Sequence, residues 1–144
     1  MKSQILYEAV VGLDNVAEIA KQVVSLVGQN AIVLLHGTLA AGKTTLVAQI
    51  AKHLGEGSVS SPTFSLQQCY GSKMFHYDFY RVEFDEILSL GLLEEFEKSG
   101  IHLIEWAPLA LKELLVDAGF NLYEIDIEVV DDSSRKYIIK ALDA

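Results

Sequence analysis

Residues 31–47, "AIVLLHGTLAAGKTTLV", constrain the fold more than any other stretch. Ala31 to Leu35 run apolar without interruption. A strand wetted on one face alternates apolar and polar side chains. An unbroken run fits a strand covered on both faces, as in a parallel sheet between helices. Gly37-Thr38-Leu39-Ala40-Ala41-Gly42-Lys43-Thr44 follows directly, and from Thr44 a helical pattern runs to Leu54 and stops at Gly55. Strand, glycine-rich turn and helix form the repeating unit of α/β sheets.

The turn carries chemistry as well as topology. It matches G-x-x-x-x-G-K-[ST], a loop whose glycines let successive backbone N–H groups face a phosphate chain. The start of the following helix, Lys43 through Thr45, adds unpaired N–H groups and a partial positive charge. In this pattern the lysine reaches the β- and γ-phosphates and the Thr44 hydroxyl ligates Mg²⁺. The plainer alternative is a glycine-rich turn ending in a helix cap. At average residue usage a chance match in 144 residues is on the order of one in a few hundred. The flanking strand and helix lower that further.

The rest of the chain alternates in the same way. "QILYEAV" reads as a first strand. "DNVAEIAKQVVSLVG" reads as a helix with Val16, Ile19, Ala20, Val23, Val24 and Val27 on one face, Asp14 capping its start and Gly28 its end. "SPTFSLQQCY" and "KMFHYDFY" read as two strands joined at Gly71-Ser72. "FDEILSLGLLEEFEKSG" is helical with a break near Gly91, "IHLIEW" is a second buried strand, and "APLALKELLVDAG" is a short helix. "NLYEIDIEVV" and "RKYIIKAL" close the chain as a hairpin, with Leu122, Ile125, Ile127 and Val129 in imperfect alternation. The expected architecture is a single α/β domain over residues 1–144, with parallel central strands, antiparallel edges and helices on both faces.

Hydrophobic content is 51%, enough for a packed core, and no apolar run approaches the roughly 20 residues of a membrane span. The N-terminus shows no signal-peptide pattern and Cys69 is the single cysteine, so a reducing, cytoplasmic setting is expected. Net charge is −9, with Arg81 and Arg135 the only arginines. Nucleic-acid binders neutralise phosphates with Lys and Arg, so this chain is poorly suited to gripping RNA alone; a basic protein partner fits it better.

Phosphoryl chemistry of this kind needs an acid at a buried strand end to hold Mg²⁺ directly or through water. "IHLIE" ends in Glu105 and "MFHYD" in Asp78. The first strand is the more apolar, which favours Glu105 for the metal and leaves Asp78 to orient the attacking water or to bind a metal-bound water. Without the phosphate loop, each acid would read as a helix cap or a solvated strand end. Ser61, before Pro62, and Thr63 stand where a loop reaches a γ-phosphate, or form a plain turn. Trp106 stacks on a base or partner, or simply packs. His36 and His76 read as structural.

"GTLAAGKTTLV", "VSSPTFSL", "HYDFYR" and "LIEW" stand in the order and spacing of the bacterial TsaE (YjeE) ATPases, which this chain resembles over residues 31–108 by motif. The resemblance implies a P-loop ATPase of tRNA N6-threonylcarbamoyladenosine biosynthesis. It implies work with the TsaD and TsaB proteins, which modify the adenosine beside the anticodon, with ATP hydrolysis serving repeated rounds. By position, Lys43 would hold phosphate, Thr44 and Glu105 Mg²⁺. Asp78 would serve hydrolysis, Thr63 a switch-like loop, and Trp106 a place beside the site. Arg135 would contact nucleotide, and Leu13 to Val16 would lie near adenine. The family's usual loop is G-D-L-G-A-G-K-T; here Thr38 replaces the acid and Ala40 a glycine, and Ala107-Pro108 stands where an acid often follows "IEW". An alanine at positive φ would carry strain.

Two other enzymes fit less well. A small-molecule kinase usually shields its transfer with several arginines, and two are present. A GTPase would need an N-K-x-D segment, which the chain lacks. A nucleotide-sensing module without useful catalysis remains open, because of Thr38 and Ala40.

Overall fold

The computed structural model describes residues 1–38, 40–56, 59–60 and 66–143. The strands are β1 (Lys2–Gly12), β2 (Ala31–His36), β3 (Val59–Ser60), β4 (Gln67–Tyr70), β5 (Met74–Asp78), β6 (Ile101–Glu105), β7 (Leu122–Asp131) and β8 (Ser134–Asp143). The helices are α1 (Val16–Val27), α2 (Lys43–His53), α3 (Phe84–Ser89), α4 (Leu92–Glu95) and α5 (Leu109–Asp117). One sheet holds all eight strands in the order β1-β8-β7-β2-β6-β5-β4-β3. β7, β2, β6 and β5 are mutually parallel, and the strands outside them pair antiparallel.

The two apolar runs explain the centre. Every residue of β6 is buried, as are Ala31 to Leu35 of β2. Successive side chains leave a strand on opposite faces. Val33 and Leu35 therefore pack with α1 and α2, while Ile32 and Leu34 pack with α3, α4 and α5. α1 contributes Ile19, Ala20 and Val23, all fully buried. Burying Ile19 or Val23 in this way is worth about 1.5–3 kcal/mol each.

Two local expectations change, and a third falls partly outside the described residues. Asp14 does not cap α1: Leu13–Asn15 form a 3₁₀ turn, no side chain caps the helix, and Leu13 N–H is instead donated to Ser133 O at 3.0 Å. Tertiary pairing with the closing hairpin overrides the local cap. Val129 faces solvent at 50% exposure, because β7 extends past β2, whose last pairing is His36 with Asp126. β4 begins only at Gln67; the expected strand residues 61–65 lie outside the described residues.

Gln67 opens a buried polar seam on the α3–α5 face. Its Nε2 donates to Tyr77 Oη and to Glu95 Oε1, each at 3.1 Å. Tyr77 donates to His102 Nδ1 at 2.8 Å, and His102 Nε2 donates to Lys98 O at 2.8 Å. Burial pushes the Tyr77 hydroxyl well above its usual range and pulls His102 down, so both stay neutral. The seam fixes β4 and α4 to the parallel strands behind the site.

At the opposite strand ends, Gly100 enters β6 with φ 137°, and a Cβ there would lie 2.6 Å from Lys73 O. Gly100→Ala is expected to destabilise the fold by about 1–3 kcal/mol in denaturant unfolding. An unchanged midpoint would mean that the β5–β6 entry yields freely.

Candidate functional site

The parallel strands β2, β5 and β6 end on the same rim, and the sequence sets a turn on each. After β2 the chain passes through Gly37 to Gly42, and α2 begins at Lys43. A Cβ on Gly37 would sit 2.9 Å from Ala41 Cβ and 3.0 Å from Ile127 O, so only glycine lets the loop close. Gly42 has φ 102°, a left-handed conformation that turns the chain into the helix. Ala41 N–H is donated to Thr38 O at 3.0 Å, and Leu46 N–H to Gly42 O at 3.0 Å. The amides of Lys43, Thr44 and Thr45 thus come before Leu46, the first donor of the helical ladder, the arrangement that receives anions.

Lys43 is 4% exposed. Its Nζ donates to Gly37 O at 2.9 Å, stands 3.8 Å over the Trp106 ring and lies 4.0 Å from Glu105 Oε1. Burial lowers its pKa, while the charges of Glu105 and Asp78 oppose that shift. Glu105 is 5% exposed and Asp78 is exposed; they face each other in register at the ends of β6 and β5. Asp78 Oδ1 accepts Tyr80 N–H at 3.0 Å. Thr38, Ala40, Thr44 and Thr45 are exposed on the loop and the first helical turn. Arg135 Nε donates to Ala41 O at 3.3 Å, and its Nη1 donates to Asp131 O at 2.7 Å, so it braces the loop from β8.

The expected residues Gly37, Ala41, Gly42, Lys43, Glu105, Asp78, Trp106 and Arg135 therefore gather around one helix start. Leu39 and Thr63 lie outside the described residues. The strain expected at Ala40 turns on its bond to Leu39 and shares that limit.

The donor set fits a nucleotide with a hard cation. Hydroxyl and carboxylate oxygens suit Mg²⁺, which prefers one or two protein oxygens together with substrate phosphates. Among the described residues no cluster of three or more His, Cys, Asp or Glu could hold a metal unaided.

Among the described residues, two non-glycine residues on this rim are left-handed, Arg81 and Trp106, both with φ 59°. Such backbone costs on the order of 1–3 kcal/mol each and persists only where surroundings impose it. Here the Trp106 and Tyr80 rings lie 5.0 Å apart, and the Arg81 guanidinium stands 5.1 Å over Tyr80. A cavity of about 140 Å³ lies between Gly37, Lys43 and Trp106, and one of about 480 Å³ opens beside His76 and Asp78.

Sequence reading missed Glu124. It is 6% exposed, and its Oε2 accepts from His36 Nε2 at 2.5 Å and from Lys112 Nζ at 2.9 Å. Burial raises its pKa, but the two donors and their charges outweigh that and hold it at about 2. The group ties the end of β2 to α5 just before the phosphate loop. The sequence set it apart by no signal, since Glu124 is one of four acids along β7. The depressed pKa fixes the sign of a pH effect. The stabilisation is complete above the ordinary value of 4.5 and is lost as pH falls toward about 2. Glu124→Gln is therefore expected to flatten the acid limb of stability between those values, by up to roughly 3 kcal/mol. Chemical unfolding at stepped pH measures it, and parallel curves for the two proteins would refute it.

Comparison with known proteins agrees with this geometry. A family model described as "Threonylcarbamoyl adenosine biosynthesis protein TsaE" matches residues 11–137. A tRNA threonylcarbamoyladenosine biosynthesis protein TsaE of Rickettsia felis is 40% identical over 124 residues, 82% of this chain and 70% of that protein. The protein of the same description from Aquifex aeolicus is 33% identical over 126 residues, 83% of this chain and 84% of its own. The crystal structure of Bacillus subtilis YdiB superposes with a TM-score of 0.69 at 26% identity, covering 97% of this chain and 86% of that one. With the loop, the strand-end acids and the sheet order already in place, these matches put the chain in the TsaE family of tRNA threonylcarbamoyladenosine biosynthesis.

Proposed function

We propose that the chain is a Mg²⁺-dependent ATPase acting as a single domain over residues 1–144, in the cytoplasm. In this reading it serves N6-threonylcarbamoyladenosine formation at tRNA position 37 together with TsaD and TsaB. The observation that carries the reading is the convergence of a nearly dry lysine, a buried carboxylate and an exposed carboxylate on one helix start.

The proposed roles are these. The amides from Gly37 to Thr45 cradle the phosphates, and Lys43 leaves the Gly37 carbonyl and the Trp106 face to pair with the β- and γ-phosphates. Thr44 and Glu105 hold the cation. Mg²⁺ held there would supply positive charge against the phosphate oxygens. Asp78, exposed beside Glu105, orients the water that attacks the γ-phosphorus as the bond to ADP breaks. Thr63, which lies outside the described residues, is the further proposed contact to the γ-phosphate. Trp106 and Arg135 support the nucleotide from either side.

The charge of −9 argues that tRNA is met only within the complex, where partners supply basic surface. The isolated chain is expected to show no tight tRNA binding at physiological salt, and a filter-binding titration tests this.

The central test is Mg²⁺-dependent ATP hydrolysis with and without purified TsaD and TsaB. Hydrolysis should rise with the partners and vanish in Lys43→Ala. Asp78→Ala should keep ATP binding and lose turnover by about 10²-fold or more. ATP bound without turnover in either setting would instead favour a nucleotide-gated binding module, with Thr38 in place of the usual acid as the first residue to revert.

A further inference from the structure

His76 sits one pleat before Asp78 on β5 and therefore shares its face. It is 9% exposed, and its Nε2 lies 2.5 Å from Glu105 Oε2. The other oxygen of that carboxylate, Oε1, is the one that faces Lys43, at 4.0 Å. That distance is too long for a hydrogen bond and short enough for strong attraction at a site this buried. Glu105 thus lies between two cationic or proton-donating groups and is bonded to one of them.

We propose that His76 is a positioning residue for the phosphate site, holding Glu105 by one oxygen so that the other stays clear of Lys43 and open to a cation. The inference rests on the ATPase reading and adds a residue to it. Without the imidazole, the nearest partner for Glu105 is the Lys43 ammonium. A contact pair between the two would occupy both groups at once: the lysine that must reach phosphate and the carboxylate that must reach metal. A carboxylate fixed by one hydrogen bond also presents its remaining oxygen in a single direction, and partners of this kind typically change metal affinity by about 10–100-fold. His76 does not touch the ligand in this arrangement; it acts through Glu105. The competing explanation is that His76 merely satisfies a buried acid.

The two differ in a measurement that needs no turnover. Mn²⁺ is titrated, by its electron paramagnetic resonance signal, into chain saturated with adenylyl-imidodiphosphate, and metal-free binding of the same nucleotide is measured in parallel. His76→Ala should bind Mn²⁺ about 10–100-fold more weakly and should also lose metal-free nucleotide affinity as Glu105 closes on Lys43. His76→Gln, which keeps a donor, should recover most of both. The double variant His76→Ala with Glu105→Gln should regain metal-free nucleotide affinity, since a neutral amide cannot pair with the ammonium, while Mn²⁺ stays weak. A merely structural histidine predicts no such rescue. Wild-type affinities in a His76→Ala protein of unchanged thermal melt would overturn the proposal. Should His76→Ala fail to fold, His76→Asn, too short to reach Glu105, takes its place under the same criteria. A wild-type chain that binds no metal–nucleotide would overturn the ATPase reading itself, and this inference with it.

Discussion

Removing an ammonium from water costs several kcal/mol unless other groups replace its hydration. Lys43 is in that position, and the rim of the sheet is built around it. One carbonyl, one aromatic face and one carboxylate stand within 4.0 Å of its Nζ. They come from two segments: Gly37 from the loop after β2, Glu105 and Trp106 from the end of β6. None of them compensates fully, which is why burial still pulls the lysine below its ordinary pKa. A cation held this loosely and this dry is poised for a better anion. Phosphate supplies one with charge to spare.

The same requirement accounts for the strained backbone nearby. To lay its ring under Lys43, Trp106 must turn sharply straight after the buried Glu105, and it does so in a left-handed conformation. Arg81 takes the same conformation three residues after Asp78, and its guanidinium covers Tyr80, which in turn packs on Trp106. Two adjacent parallel strands therefore end in matched tight turns, and the rings between them tie the turns together. The strain is stored where the site is assembled, and the polar seam of Gln67, Tyr77 and His102 stiffens the sheet behind it.

Much of this was legible in the residues because it follows from period and turn chemistry. "AIVLL" and "IHLIE" had to be central strands, since no one-sided strand tolerates such runs. With both strands parallel, their C-terminal ends had to share a rim with the loop, which placed Glu105 and Asp78 near Lys43 before any coordinates. What failed was local capping at Asp14, where the hydrogen bond of Leu13 to Ser133, distant in sequence, decides the geometry. What stayed hidden were pairings with no periodic signature. His36 and Glu124 are 88 residues apart, and an acid in an alternating strand reads as outward-facing until α5 brings Lys112 over it. His76 was half legible: its parity with Asp78 fixes its face, but only the register of β5 against β6 shows that Glu105 lies within reach.

The two histidine–glutamate pairs make the chemistry of the rim clearer by contrast. Both join neighbouring strands, and both hold the ring nitrogen 2.5 Å from the carboxylate. At Glu124 a lysine completes the pair at 2.9 Å, so the carboxylate is held ionised by direct contacts and locks β7, β2 and α5 together. At Glu105 the lysine stops at 4.0 Å, and the pair is left incomplete. Closing that gap would yield another structural ion pair like the one at Glu124, stable and inert. Keeping it open costs stability, and the open carboxylate oxygen is aimed into the one rim of the sheet where a phosphate loop begins a helix. The difference between a brace and a site here is about one ångström of lysine reach, set by His76 on Glu105 and by the groups that hold Lys43 from the other side.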